Sequence, residues 1–116
     1  LSVQQLKKLL NLTHKLGMEA LVEVHNEKDL KKALEAGARM VGINNRNLNT
    51  LKVDLQTCLC LKEKVPEDKI LVAESGIKTR EDILSLEKAG FEAALIGTAL
   101  IQAQDIGKKL KEFLGK

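Results

Sequence analysis

Apolar residues along this chain recur at helical spacing, then run together or alternate as in strands, and the two patterns take turns to the end. Val3, Leu6, Leu9, Leu10 and Leu12 follow a capping Ser2 and predict an inward-facing helical stripe over 3–16, closed by Gly17. Residues 20–25, Ala-Leu-Val-Glu-Val-His, read as a strand with Ala20, Val22 and Val24 on one face and Leu21, Glu23 and His25 on the other. Asn26, with Asp29 three residues on, caps a helix whose inner face is Leu30, Ala33 and Leu34 and which Gly37 ends. Residues 40–43 make the second strand, followed by Asn44-Asn45-Arg46-Asn47 and a loop or short extended piece over 48–53. Asp54 caps a helix to about 64, and Pro66 and Asp68 turn the chain into a third strand over 70–73. Thr79 caps a helix to 89 with Ile83, Leu84 and Leu86 inward and Gly90 as its end. The fourth strand is 93–96; Gly97-Thr98 and a helical turn over 99–101 follow, and Asp105 caps a closing helix to Leu114.

Helices and strands therefore alternate. The junctions at Gly17, Gly37 and Gly90 repeat one device, in which glycine closes a helix, about two residues follow and a strand begins. Strands separated by helices pair in parallel through crossovers. The polar and small strand positions Glu23, Gly42 and Ala73 suit the lining of a curved interior better than a sheet covered on both faces, whose strands are uniformly apolar. A whole eight-stranded barrel takes about 250 residues, and this chain has 116. The expected architecture is one α/β domain over residues 1–116: four parallel strands alternating with helices, half of a (β/α)8 TIM barrel. Leu1 stands where an initiator Met would, which adds to the expectation of a fragment.

Composition narrows the partners. Lys and Arg number 19 against 16 Asp and Glu, a formal charge of +3, and the signs mix along the helices. Aromatic residues are only 2% of the chain, so neither a basic stripe nor a stacking platform exists for nucleic acid. No apolar run has the length of a membrane span, and no signal peptide is evident. Cys58 and Cys60 point to different faces of a helix and have no ligand neighbours at metal spacing, so both read as reduced packing residues of a reducing compartment, the cytoplasm. His14, near a helix C-terminus, reads as a surface residue.

Candidate chemistry gathers at the strand ends: His25, Asn44 to Asn47, Glu74 to Gly76, and Gly97 to Thr98. Parallel α/β folds collect their sites there. The stretch from Ile70 to Ile77 is the strongest, a buried strand opening into a carboxylate, a hydroxyl and a glycine; taken alone it is equally a capped connection. Glu23 lies in an apolar run, where a carboxylate is costly to bury unless it is paired or used. Taken alone, it is a structural ion-pair partner or a site residue. The Asn44 to Asn47 run is a turn or a site, with Arg46 able to grip an anion.

Four motifs in order resemble indole-3-glycerol phosphate synthase: Glu19-Ala20-Leu21-Val22-Glu23-Val24-His25, Gly42-Ile43-Asn44-Asn45-Arg46-Asn47-Leu48, Val72-Ala73-Glu74-Ser75-Gly76-Ile77 and Leu95-Ile96-Gly97-Thr98-Ala99-Leu100. The resemblance spans essentially the whole chain and places it in the C-terminal half of the barrel, strands five to eight. It implies a lyase of tryptophan biosynthesis that closes the ring of carboxyphenylamino-deoxyribulose phosphate, with decarboxylation and dehydration, and no cofactor or metal. It implies Glu23 and Asn44 as catalytic residues; Arg46, Glu74, Ser75 and Leu95 against the substrate; and Ser75, Gly76, Gly97 and Thr98 around its phosphate, with a short helix near Thr98 aimed at it. Glu74 is the lesser carboxylate in this reading. The family's lysines on the first and third strands, and its N-terminal phosphate-binding helix, have no counterpart in residues 1–116. The chain alone is therefore expected to be inactive and to associate with the missing N-terminal half-barrel or with itself, through free strand edges. The alternatives are a non-catalytic phosphate-binding half-barrel, or another phosphate-sugar barrel enzyme such as phosphoribosylanthranilate isomerase.

Overall fold

The computed structural model describes residues 1–116. Its elements are α1 (Val3–Lys15), β1 (Leu21–Val24), α2 (Glu27–Glu35), β2 (Met40–Asn44), α3 (Gln56–Lys62), β3 (Ile70–Glu74), α4 (Arg80–Ala89), β4 (Ala93–Leu95), α5 (Thr98–Ile101) and α6 (Ile106–Leu114). The strands form one four-stranded sheet in chain order, parallel throughout. This is the expected half of a (β/α)8 barrel.

Local chemistry sets most boundaries. Ser2 and Thr79 complete reciprocal capping boxes with Gln5 and Asp82. The Asn26 side chain accepts from Asp29 N at 2.8 Å, while Asp29 turns its own carboxylate to His25 N rather than closing a box on Asn26. Gly90 closes α4 in the left-handed region, at φ 100°. Asp54 sits one residue outside the expected capping position: α3 begins at Gln56, whose amide donates to Asp54 Oδ1 at 2.9 Å.

Register sorts the strand residues into two faces. Val22, Val41 and Leu71 lie in one row, and Val24, Ile43 and Ala73 in another. These six are buried beneath the helices with Leu30, Ala33, Cys58, Leu61 and Leu86. Each large side chain buried there contributes about 1.5–3 kcal/mol. The other face carries Leu21, Met40 and Ile70, then Glu23, Gly42, Val72 and Ala93, then Asn44, Glu74 and Leu95. That is the inner face of the curved sheet. Ala73 therefore belongs to the helix-side core, not to the interior lining: one step along a strand reverses the face.

Several apolar positions expected inward are exposed. On α1, Val3, Leu6 and Leu10 pack on the core, but Leu9 and Leu12, continued by the capping Leu16, form a second stripe beside them that meets water. Helix α6 has a similar pair in Ile106 and Leu110. These helices end the layer, so each has an unpartnered flank. Leu84 on α4 is also exposed, as is Cys60, while Cys58 packs in the core. Edge strands β1 and β4 each pair on one side only.

Candidate functional site

The carboxyl ends of the strands converge on one open concavity. Glu23, Arg46, Glu74, Ser75, Gly76, Leu95, Gly97 and Thr98 all line it. Asn44 joins them one layer back: its Nδ2 donates to Glu23 Oε1 at 3.1 Å, and its Oδ1 accepts from Arg46 N at 2.9 Å. One amide thus orients a carboxylate on β1 and the backbone carrying the guanidinium after β2. His25 Nδ1 donates to the Asn44 carbonyl at 2.7 Å, tying the tops of β1 and β2 together.

Glu23 is exposed here, not buried as its apolar strand suggested, because it projects from the open inner face of the sheet. Glu74 is the buried carboxylate, 5% exposed. Its Oε2 lies over Gly42, in the space a Cβ at that position would take. Gly42 and Glu23 are register partners, so the missing side chain at 42 is what lets Glu74 fold down beside Glu23. No hydrogen-bond donor reaches Glu74 Oε2. Loss of hydration, then the charge of Glu23 and the hydrogen bond it can accept from the protonated acid, push the Glu74 carboxyl up to about 7. Glu74 thus keeps its proton up to near neutrality.

The elbow after β3 is tightly specified. Ser75 and Gly76 take left-handed backbone conformations in succession, φ 68° and 76°. Such a φ costs a non-glycine residue of order 1 kcal/mol or more. At Gly76 a Cβ would also stand 2.6 Å from Val53 Cγ1. Val53 is brought there by the 47–54 loop, which folds back through an antiparallel bridge with Arg46. Across the concavity Gly97 precedes α5; a Cβ added there would meet nothing within 4 Å, so its face opens on the cavity. The first amides of a helix have no partner inside it, and α5 begins at Thr98 without a side-chain cap. Lys78, Gln102 and Lys108 also line the cavity; none was singled out from the sequence, where they are indistinguishable from surface residues. No cluster of three or more His, Cys, Asp or Glu is placed to hold a metal ion.

Comparison with known proteins assigns the chain to a family. The family model for indole-3-glycerol phosphate synthase covers residues 1–113. Curated relatives under that name include one from Dehalococcoides mccartyi strain 195, 49% identical over 114 residues, and one from Acetivibrio thermocellus, 47% identical over 113 residues. Each alignment takes in 97–98% of this chain but 44% of the relative, so the chain spans less than half the length of the proteins it matches. Among solved structures, 3-hexulose-6-phosphate synthase superposes with a TM-score of 0.79 at 20% identity, covering 98% of this chain and 56% of that one. A structure titled native KDPGal superposes at 0.67 and 22% identity, covering 99% and 53%. These two establish the fold alone; the family model and the curated relatives decide the lineage, and the chain belongs to the indole-3-glycerol phosphate synthase family.

Proposed function

We propose that this chain supplies the second half of a synthase site that converts carboxyphenylamino-deoxyribulose phosphate to indole-3-glycerol phosphate. The observation that carries the reading is the Glu23–Asn44 hydrogen bond with the Glu74 carboxyl folded over Gly42, opening on a cavity whose far wall is Ser75-Gly76 and Gly97-Thr98. Ring closure makes the anilino nitrogen cationic. An ionised Glu23, oriented by Asn44, stabilises that charge. Glu74, titrating near 7, is matched to give or take a proton in the steps that follow. Loss of carbon dioxide and of water then completes the indole. The phosphate sits between the two glycine turns, with the first amides of α5 directed at it and Arg46 able to reach the substrate carboxylate.

The acid that protonates the ketone is a lysine of the complementary half-barrel, and the 116-residue chain alone is inactive. The same half-barrel is the partner of this chain. Two free parallel strand edges and the apolar flanks of α1 and α6, Leu9, Leu12 and Leu16 with Ile106 and Leu110, all lie where strands four and one and their helices would pack. The setting is the cytoplasm. The test is to reconstitute the chain with the N-terminal half of the Dehalococcoides relative and to compare Glu23 with Glu23→Gln. Turnover should fall by about 100-fold or more while phosphate binding persists. An unchanged rate would instead favour a phosphate-binding half-barrel without a catalytic carboxylate.

A further inference from the structure

Asn45 stands outside the catalytic set, yet every polar group it owns is used. It is 1% exposed. Its side-chain Nδ2 donates to the Ser75 carbonyl at 3.0 Å, and its Oδ1 accepts from Cys58 N, in α3, at 2.9 Å. Its backbone N donates to the Glu74 carbonyl at 2.8 Å, and its carbonyl accepts from Asp54 N at 2.9 Å. One side chain thus joins the end of β2, the elbow after β3 and the first turns of α3. Its partner on the elbow is the residue whose left-handed φ of 68° has no glycine to ease it. A buried amide with both ends satisfied fixes geometry well, and loss of one end leaves a buried carbonyl without its donor.

We propose that Asn45 is a positioning residue that holds the Ser75-Gly76 turn and, through it, seats the Glu74 carboxyl over Gly42. The link runs along the chain. The Asn45 backbone holds the Glu74 carbonyl and its side chain holds the next carbonyl, that of Ser75. Together they prevent the strand end from peeling away from β2. Without the side-chain lock, Ser75 relaxes toward an ordinary backbone conformation. The turn at Gly76 then moves relative to the cavity, and the Glu74 carboxyl swings out into water. The reading of Ser75-Gly76 as a phosphate wall rests on the proposed function; the seating of Glu74 does not.

The experiment uses the whole chain, Asn45→Leu and Asn45→Ala, with the Glu74 carboxyl titrated by carbon-detected NMR and inorganic phosphate titrated in parallel. Both remove the donor to Ser75 and the acceptor for Cys58 N without placing a new charge beside Glu74, and Asn45→Leu keeps the side-chain volume. The Glu74 midpoint should move down from about 7 by about one pH unit or more in both variants, and phosphate affinity should weaken by about fivefold or more. A core residue with only a packing role would lower the melting temperature and leave the Glu74 midpoint in place. A folded Asn45→Leu with an unchanged midpoint overturns the proposal. If the unsubstituted chain fails to bind phosphate, the phosphate reading falls, and the Glu74 midpoint still decides the role of Asn45.

Discussion

Replacing Glu74 by Gln tests the buried carboxyl directly, because glutamine imitates the protonated acid and cannot ionise. In the unfolded chain Glu74 titrates near 4.5; in the folded chain it is held up to about 7. Below pH 4.5 both states carry the proton, and its stabilising effect is fully present. Between the two values the unfolded chain has lost the proton and the native chain keeps it, so unfolding becomes easier as pH rises. Above 7 both are ionised, and the native state bears the whole cost of a charge with no donor at Oε2 and Glu23 beside it. At about 1.4 kcal/mol per pH unit the difference amounts to about 3 kcal/mol. The assay is urea denaturation of both proteins from pH 4 to pH 8.5. The unsubstituted chain should lose about 3 kcal/mol relative to Glu74→Gln over that range, nearly all of it between 4.5 and 7. Parallel pH profiles for the two proteins would refute the placement of the Glu74 carboxyl in a dry slot.

Gly42→Ala puts a methyl group where Glu74 Oε2 lies. The obstacle is the far end of a flexible side chain, so urea unfolding at pH 4, where the carboxyl is protonated in the native state, should change by under about 1 kcal/mol, while the NMR midpoint of Glu74 falls toward the ordinary carboxylate range. Gly97→Ala meets nothing within 4 Å and its φ is negative; calorimetry should register almost no change in stability, and phosphate titration should register about a tenfold loss of affinity if the ligand backs onto that backbone. In sedimentation velocity the isolated chain should run as a self-associated species, since both edge strands and two helix flanks are open. Adding the N-terminal half of a relative should convert it to a one-to-one complex, and a monodisperse monomer under all conditions would count against the open-edge argument.

The fold was largely legible because its signals are local. Capping residues such as Ser2, Asn26, Thr79 and Asp105 precede helices, glycines follow them, and apolar strand runs sit between. What escaped the pattern depended on neighbours. Leu9 and Leu12 look like core residues at helical spacing, but whether a second apolar stripe is buried depends on what packs beside α1. Ala73 looks like an interior lining residue, but its face is decided by register with Ile43. At the site, the residues were found through motif and strand-end position, and the cavity gathers eight of the nine along its wall. The balance between the two carboxylates was not legible. Glu23 looks the more buried in sequence because Leu21, Val22 and Val24 surround it. The dry slot instead forms at Glu74, because Gly42, one strand away, leaves the room. Asn45 was hidden by its neighbours: in Asn44-Asn45-Arg46-Asn47 the alternation of faces turns Asn44 to Glu23 and Asn45 to the elbow, and only the pairing of β2 with β3 reveals the second.

We propose that these 116 residues carry the Glu23 half of a synthase site and need the other half for turnover. The direct test is growth of a tryptophan-requiring cell that lacks the synthase, given this chain alone, the N-terminal half of a relative alone, or both. Growth should appear only with both, and should vanish when Glu23→Gln replaces the native chain. Growth on this chain alone, or growth with both that survives Glu23→Gln, would overturn that assignment.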